Sequence, residues 1–215
     1  GARVTGTGSR PESVQWMQAA GISPAVADLT DGDSMHAVIH GAIERHGRLD
    51  VLINNAGINR NVPASMVKAD QIDELFDVNV KGLFRACQIY QKAQRKSGGG
   101  VIVNVASIAG FLGAPLNSVY SATKGAVLQL TRSLALEWAG SNFRVNALCP
   151  GVIDTEMSNR VTQSADMLEQ LEATIPLKRV GRPEEMIGPA MYLASEASSY
   201  MTGQLLVVDG GYSTQ

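Results

Sequence analysis

Leu49-Asp50-Val51-Leu52-Ile53-Asn54-Asn55-Ala56-Gly57 is the stretch on which the fold turns. Its apolar run is nearly continuous, as in a strand buried on both faces, and such strands belong to parallel sheets covered by helices. The run breaks into small and amide residues, which let a backbone turn sharply or approach a flat ligand closely. Two further segments repeat the arrangement. Val101–Val105 leads into Ala106-Ser107, and Phe143–Leu148 leads into Cys149-Pro150-Gly151.

Helical patterns lie between these runs. Asp33–His46 has Asp31 or Asp33 as N-cap and Gly47 as its stop. Asp70–Lys96 reads as one long helix ended by Ser97-Gly98-Gly99-Gly100, and Ser118–Ala139 as another. Asp166–Ala173 and Pro183–Ser195 read as helices, and Ser23–Ala27 and Gly203–Val208 as strands. At the front, Ala2–Gly8 reads as a short strand and Pro11–Ala20 as a helix. Strands alternating with helices of this length need crossover connections. The predicted fold class is therefore α/β, a doubly wound parallel sheet, with residues 1–215 forming one domain. In such sheets ligands bind beyond the carboxyl ends of the strands.

Composition excludes several classes. The net charge is −2 and Lys and Arg form no block, which argues against nucleic acid or an anionic membrane as partner. No apolar run approaches the length of a membrane span. Cys87 and Cys149 are far apart, which suits two free thiols in a reducing, cytoplasmic compartment. His36, His40 and His46 do not share one helix face, and no carboxylate pattern for a metal accompanies them.

The strongest chemical signal is Tyr120-Ser121-Ala122-Thr123-Lys124. Four apart on a helix, the phenol and the ammonium share a face. A free tyrosine titrates at about 10. A unit charge at ~4 Å is worth roughly 4 kcal/mol at intermediate dielectric. The expectation is that Lys124 lowers the phenol by about two or three pH units, into acid/base range. Tyr and Lys at this spacing also occur on solvated helix faces. Ser107 stands at the end of a buried strand, thirteen positions before Tyr120, where it could polarise a carbonyl or simply cap a turn. Asn54-Asn55-Ala56-Gly57 and Pro150-Gly151-Val152-Ile153-Asp154-Thr155 each follow a strand, and each alone also reads as a turn.

In this order and spacing the four segments resemble the short-chain dehydrogenase/reductase family along essentially the whole chain, to Asp209-Gly210-Gly211. The resemblance implies a Rossmann-like fold and an NAD(P)-dependent enzyme moving hydride between a carbonyl and a secondary alcohol. It covers sugar, polyol, small-ketone and 3-oxoacyl substrates alike. It implies Tyr120 as acid/base, Lys124 as its partner and ribose ligand, and Ser107 as the residue orienting the substrate oxygen. Asn79, otherwise a capping or packing amide, becomes the support of a water-linked proton relay. Asn55, Ala56 and Gly57 would line the adenosine half, Asp28 and Leu29 the adenine ring, and Pro150, Gly151, Ile153 and Thr155 the nicotinamide carboxamide. A homo-oligomer, tetramer or dimer, is expected through residues about 70–96, 118–139 and 203–208. A serine hydrolase built on Ser107 is disfavoured, since no Gly-x-Ser-x-Gly elbow is present and all three histidines lie in the first quarter of the chain. Sugar-nucleotide epimerases share the Tyr-x-x-x-Lys pair but need a larger C-terminal domain.

The chain departs from the family at its front. The family opens with a strand, a Thr-Gly-x-x-x-Gly-x-Gly loop and a helix that receives the pyrophosphate. Here Thr5-Gly6-Thr7-Gly8 is followed by Arg10 where the next glycine should fall. Gly1–Val4 instead resembles the start of the second strand, so the expectation is an N-terminal truncation of about 30 residues, one strand–helix unit. Three expectations follow. Ala2–Gly8 slides into the vacant central position, cofactor binding is weak, and the alternative to an enzyme is a non-catalytic or fragment form. Cofactor choice is read after the second strand, where Gly8-Ser9-Arg10 has an arginine and no acid. That favours NADP over NAD, with Ser9 and Arg10 as ligands.

Overall fold

The computed structural model describes residues 3, 5–8, 17, 18 and 23–214. Ser9, Arg10 and most of the helix expected over 11–20 lie outside them, although Met17 and Gln18 are helical. The described strands are β1 (Thr5–Gly8), β2 (Ser23–Val26), β3 (Val51–Asn54), β4 (Gly100–Val105), β5 (Phe143–Pro150) and β6 (Leu205–Val208). The main helices are α1 (Gly32–His46), α2 (Ala69–Phe76), α3 (Leu83–Gln94), α4 (Ser118–Trp138), α5 (Asn159–Thr162), α6 (Ala165–Thr174) and α7 (Ile187–Ala194). Asp31 caps α1 by accepting from the Asp33 N–H, and Gly47 ends it in the left-handed conformation.

Among the described residues every strand pairing is parallel. The described strands fall into two sheets, β1–β2 and β3–β4–β5–β6. The expectation that Ala2–Gly8 moves beside β3 is wrong. Thr5 stays opposite Ser23 and Gly8 opposite Val26, and Thr5 Oγ1 lies 3.3 Å from His46 Nε2 at the end of α1. With its ladder and side chain committed there, β1 does not reach β3, which among the described residues pairs only with β4.

The sheet is covered on both faces because successive strand residues point to opposite sides. Ile102, Val145, Ala147 and Cys149 pack with Leu83, Ala86 and Tyr90 of α3 and with Val127, Leu128 and Leu134 of α4. Their neighbours Val103 and Leu148 pack with Leu193 and Ala190 of α7 on the other face. This is the doubly wound α/β arrangement of a Rossmann-like fold. Among the described residues no helix is long and apolar enough to cross a membrane.

One expected helix differs. The segment read as continuous over Asp70–Lys96 is split by a π-helical turn, Asp77–Gly82, between α2 and α3. A Cβ on Gly82 would lie 2.8 Å from the Leu29 carbonyl oxygen, so the wider turn carries a glycine at its closest approach to the loop after β2. The same turn buries Asn79, in keeping with the concentration of π turns at functional sites.

At the opposite end of the sheet Tyr90 is fully buried and donates to the Asp50 carbonyl at 2.7 Å. A Cβ on Gly100 would land on the Tyr90 hydroxyl. Gly100→Ala is therefore expected to cost about 1–3 kcal/mol through overpacking. Adding Tyr90→Phe removes the colliding oxygen, so the double variant should be less destabilised than the sum of the singles in urea melts. Simple additivity would contradict this packing.

Candidate active site

A cleft of about 680 Å³ opens beyond the carboxyl ends of β3, β4 and β5. Ser107, Tyr120 and Lys124 all line it. Ser107 follows β4 and caps a short 3-10 turn, its Oγ accepting from the Ala109 N–H at 3.1 Å. That leaves the Ser107 O–H to donate, and it is directed at the Tyr120 hydroxyl, where a substrate oxygen could take its place. Tyr120 and Lys124 lie in the first two turns of α4, and the Lys124 Nζ stands 5.7 Å from the centre of the Tyr120 ring.

Lys124 is buried and donates to the Val105 carbonyl at 2.9 Å. Burial pulls its ammonium from an ordinary 10.5 down to about 8. Burial also pushes the Tyr120 phenol above its ordinary value, and the Ser107 hydroxyl works against that rise. The expected lowering of Tyr120 by Lys124 is thus not what the structure gives. Desolvation outweighs the cation, which is spent partly on Val105. A phenol raised in this way is a neutral proton donor around pH 7. Cys149, which precedes Pro150, is pushed up to about 11 by burial and stays a protonated thiol.

Asn79 is buried in the π turn. Its Nδ2 donates to the Ile58 carbonyl at 2.9 Å and to Thr123 Oγ1 at 3.1 Å, and its Oδ1 accepts from the Ile58 N–H at 2.8 Å. Thr123 in turn donates to the Tyr120 carbonyl at 2.7 Å. Asn79 therefore ties the segment after β3 to the turn that carries Tyr120. A Cβ on Gly57 would lie 3.3 Å from Asn79 Oδ1 and 3.4 Å from Lys124 Nζ, so the glycine keeps the cleft floor open.

Of the other expected ligands, Asn55, Gly57, Pro150, Gly151, Ile153 and Thr155 line the cleft, and Ala56 does not. Asp28 and Leu29 lie outside it. Asp28 accepts from the N–H and hydroxyl of Thr30, which hold its carboxyl below the usual range. Leu29 packs against the core. Asn59, Asn61, Asn117, Arg160 and Tyr212 also line the cleft and were not anticipated. The run Asn54-Asn55-Ala56-Gly57-Ile58-Asn59-Arg60-Asn61 held the signal for two of them, as an amide density unusual for a plain turn. No acidic side chain lines the cleft among the described residues. Small residues at Gly57 and Gly151, apolar contacts at Pro150 and Ile153, and a cation at Lys124 fit a flat nicotinamide on a polyanionic carrier.

A Rossmann-like fold with a serine, tyrosine and lysine around one strand-end cleft defines a nicotinamide-dependent oxidoreductase. Comparison with known proteins agrees. A family model described as Enoyl-(Acyl carrier protein) reductase matches residues 1–213. The chain is 40% identical over 190 residues to a 3-oxoacyl-[acyl-carrier-protein] reductase of Thermotoga maritima, covering 88% of this chain and 76% of that protein. It is 40% identical over 220 residues to the gluconate 5-dehydrogenase of Gluconobacter oxydans, covering 98% and 85%. The crystal structure of a gluconate 5-dehydrogenase from Burkholderia cenocepacia J2315, in complex with NADP and tartrate, superposes with a TM-score of 0.93 at 32% identity, covering 100% and 87%. The chain belongs to the short-chain dehydrogenase/reductase family, and it is an NAD(P)-dependent oxidoreductase that moves hydride between a nicotinamide and a carbonyl or secondary alcohol. These likenesses lend the non-catalytic alternative no support.

The Lys124 ammonium gives a pH prediction with two opposite signs. Its folded value, about 8, lies below its ordinary 10.5. The unfolded chain therefore binds more protons between those values, and stability should rise with pH across that window, the burial penalty being complete below it. The cation available to the cleft is lost over the same window, so kcat/KM for carbonyl reduction should fall as pH rises through about 8. Stopped assays and thermal melts from pH 6 to 10 check both. A flat rate profile, or stability falling across that range, would contradict the assignment.

Proposed function

We propose that the chain is an NADP-preferring carbonyl reductase in which Tyr120 is the proton donor, Ser107 orients the substrate oxygen and Lys124 stabilises the phenolate that forms. The observation that carries the reading is the shared cleft, where a donating Ser107 hydroxyl, a phenol held neutral and a buried ammonium meet. When bound, the nicotinamide supplies or accepts the hydride. Ser107 donates a hydrogen bond to the carbonyl oxygen and draws electron density from its carbon. Tyr120 passes its phenolic proton to that oxygen. Lys124 has two donors left after Val105, one for the nicotinamide ribose and one facing the phenolate. Asn79 is a positioning residue, with one Oδ1 lone pair remaining for a relay water.

Asn55, Ala56 and Gly57 hold the adenosine side of the cofactor in this reading, with Asp28 and Leu29 further out by the adenine. Pro150, Gly151, Ile153 and Thr155 hold the carboxamide side. Preference for NADP over NAD rests on Arg10 with Ser9, and on the NADP in the Burkholderia cenocepacia structure. The chain acts as one domain and as a homo-oligomer, tetramer or dimer, through α2–α3, α4 and β6, whose outer surfaces carry Leu136 and Val207 exposed. Two buried free cysteines support a cytoplasmic setting.

Tyr120→Phe tests the reading, with oxidation of NADPH by a panel of ketones and ketoacids as the readout. The expected loss in kcat is about 10²–10⁴-fold, the usual weight of a general acid, with the KM for NADPH within a few-fold of wild type. A Tyr120→Phe enzyme keeping more than half its activity would end the assignment.

A further inference from the structure

We infer that the substrate is an acid, a polyhydroxylated monocarboxylate whose carboxylate pairs with Arg160 and whose hydroxyls meet the amide wall formed by Asn59, Asn61 and Asn117. This rests on the oxidoreductase reading of Ser107, Tyr120 and Lys124. The first observation is charge. Two cations and no carboxylate line the cleft among the described residues. Lys124 is committed to the Val105 carbonyl and to the reacting centre. Arg160, on α5, is exposed and makes no hydrogen bond or ion pair with any described residue. Arg3, Arg45, Arg95 and Arg132 likewise show no side-chain hydrogen bond or ion pair among the described residues, but they lie outside the cleft that Arg160 lines. Arg48, Arg60, Arg179 and Arg182 pair with carboxylates, and Arg144 donates to the Leu193 and Ser195 carbonyls. A guanidinium left open at a cleft without acids matches a carboxylate, which it can grip with two parallel hydrogen bonds.

The second observation is the amide wall. Asn59 Nδ2 donates to Asn61 Oδ1 at 3.2 Å and to Asn117 Oδ1 at 2.9 Å. Asn117 Nδ2 is taken by the Pro115 carbonyl at 3.2 Å. Asn61 lines the cleft and its Nδ2 has no partner among the described residues, so its N–H groups are available to a hydroxyl and give nothing to a hydrocarbon chain. Leu112, Met157 and Met186 supply the apolar side, against which a carbon skeleton and a nicotinamide ring can lie.

The test is calorimetric titration of the wild-type protein, with and without NADPH, using D-gluconate and its neutral analogue D-sorbitol. An alcohol and a reduced nicotinamide cannot react, so the loaded protein reports binding alone. Gluconate is expected to bind about tenfold or more tightly than sorbitol, the weight of one charge-assisted pair. Arg160→Gln should abolish that ratio, and Arg160→Lys should keep part of it. A ratio within twofold of one in the wild type, or one unchanged in Arg160→Gln, overturns the inference. So does a loss of NADPH affinity in Arg160→Gln as large as the loss of gluconate affinity, which would assign the arginine to the cofactor phosphates. Ketone reduction is measured in parallel. Turnover of neutral ketones without a gluconate preference sinks the inference alone. An Arg160-dependent preference without any turnover leaves the anion site standing and sinks the catalytic reading.

Discussion

A lysine ammonium cannot be buried unless something holds it, and here the Val105 carbonyl at the end of β4 does so. That single bond fixes where α4 must start relative to the sheet, because Lys124 lies in its second turn. Once the ammonium is seated, Tyr120 is one helical turn away and Ser107 is two residues past the accepting carbonyl. The three groups therefore converge through local geometry. Desolvation then sets their chemistry. It holds the phenol neutral, brings the ammonium down to about 8 and leaves the neighbouring Cys149 thiol protonated. Water would erase all three effects, so the packing around β4 and α4 is part of the site.

Buried amides give that packing its rigidity. Asn104, in the middle of the sheet, accepts from Asn54 at 2.9 Å and donates to Thr131 at 3.0 Å, linking β3, β4 and α4. Asn79 does the same one layer nearer the cleft, between the Ile58 backbone and Thr123. Polar groups in a core are costly when orphaned and stiffening when satisfied. Together the two asparagines hold the segment after β3, which carries Gly57, in one position against the catalytic helix.

Much of this was legible in the sequence. The apolar runs read at Leu49–Ile53, Val101–Val105 and Phe143–Leu148 correspond to the strands β3, β4 and β5 to within two residues at each end, and the turns after them line the cleft, because a strand buried on both faces has one pattern and one place for its ligand. Asp31 bounds α1 through its carboxylate and Gly47 through the positive φ that the lack of a Cβ allows. The misses share a cause, which is that distant contacts decided them. The π turn over Asp77–Gly82 depends on how Gly82 meets the Leu29 backbone, and periodicity within the helix carries no trace of that. The direction of the Tyr120 shift depends on burial, whereas the spacing of Tyr120 and Lys124 reports only proximity. Arg160 stands in a four-residue helix whose sequence says nothing about the cleft it faces. The position of β1 was misjudged because its ladder runs along β2, and among the described residues β3 pairs only with β4.

The most direct measurement is a titration of the Lys124 ammonium by nuclear magnetic resonance, with the ζ-nitrogen labelled and Lys124→Met used to assign the signal. A buried ammonium held by one carbonyl predicts a midpoint near 8. A midpoint near 10.5, the value of a solvated lysine, would mean that water reaches the group, and the account of how this cleft tunes its proton donor would fail.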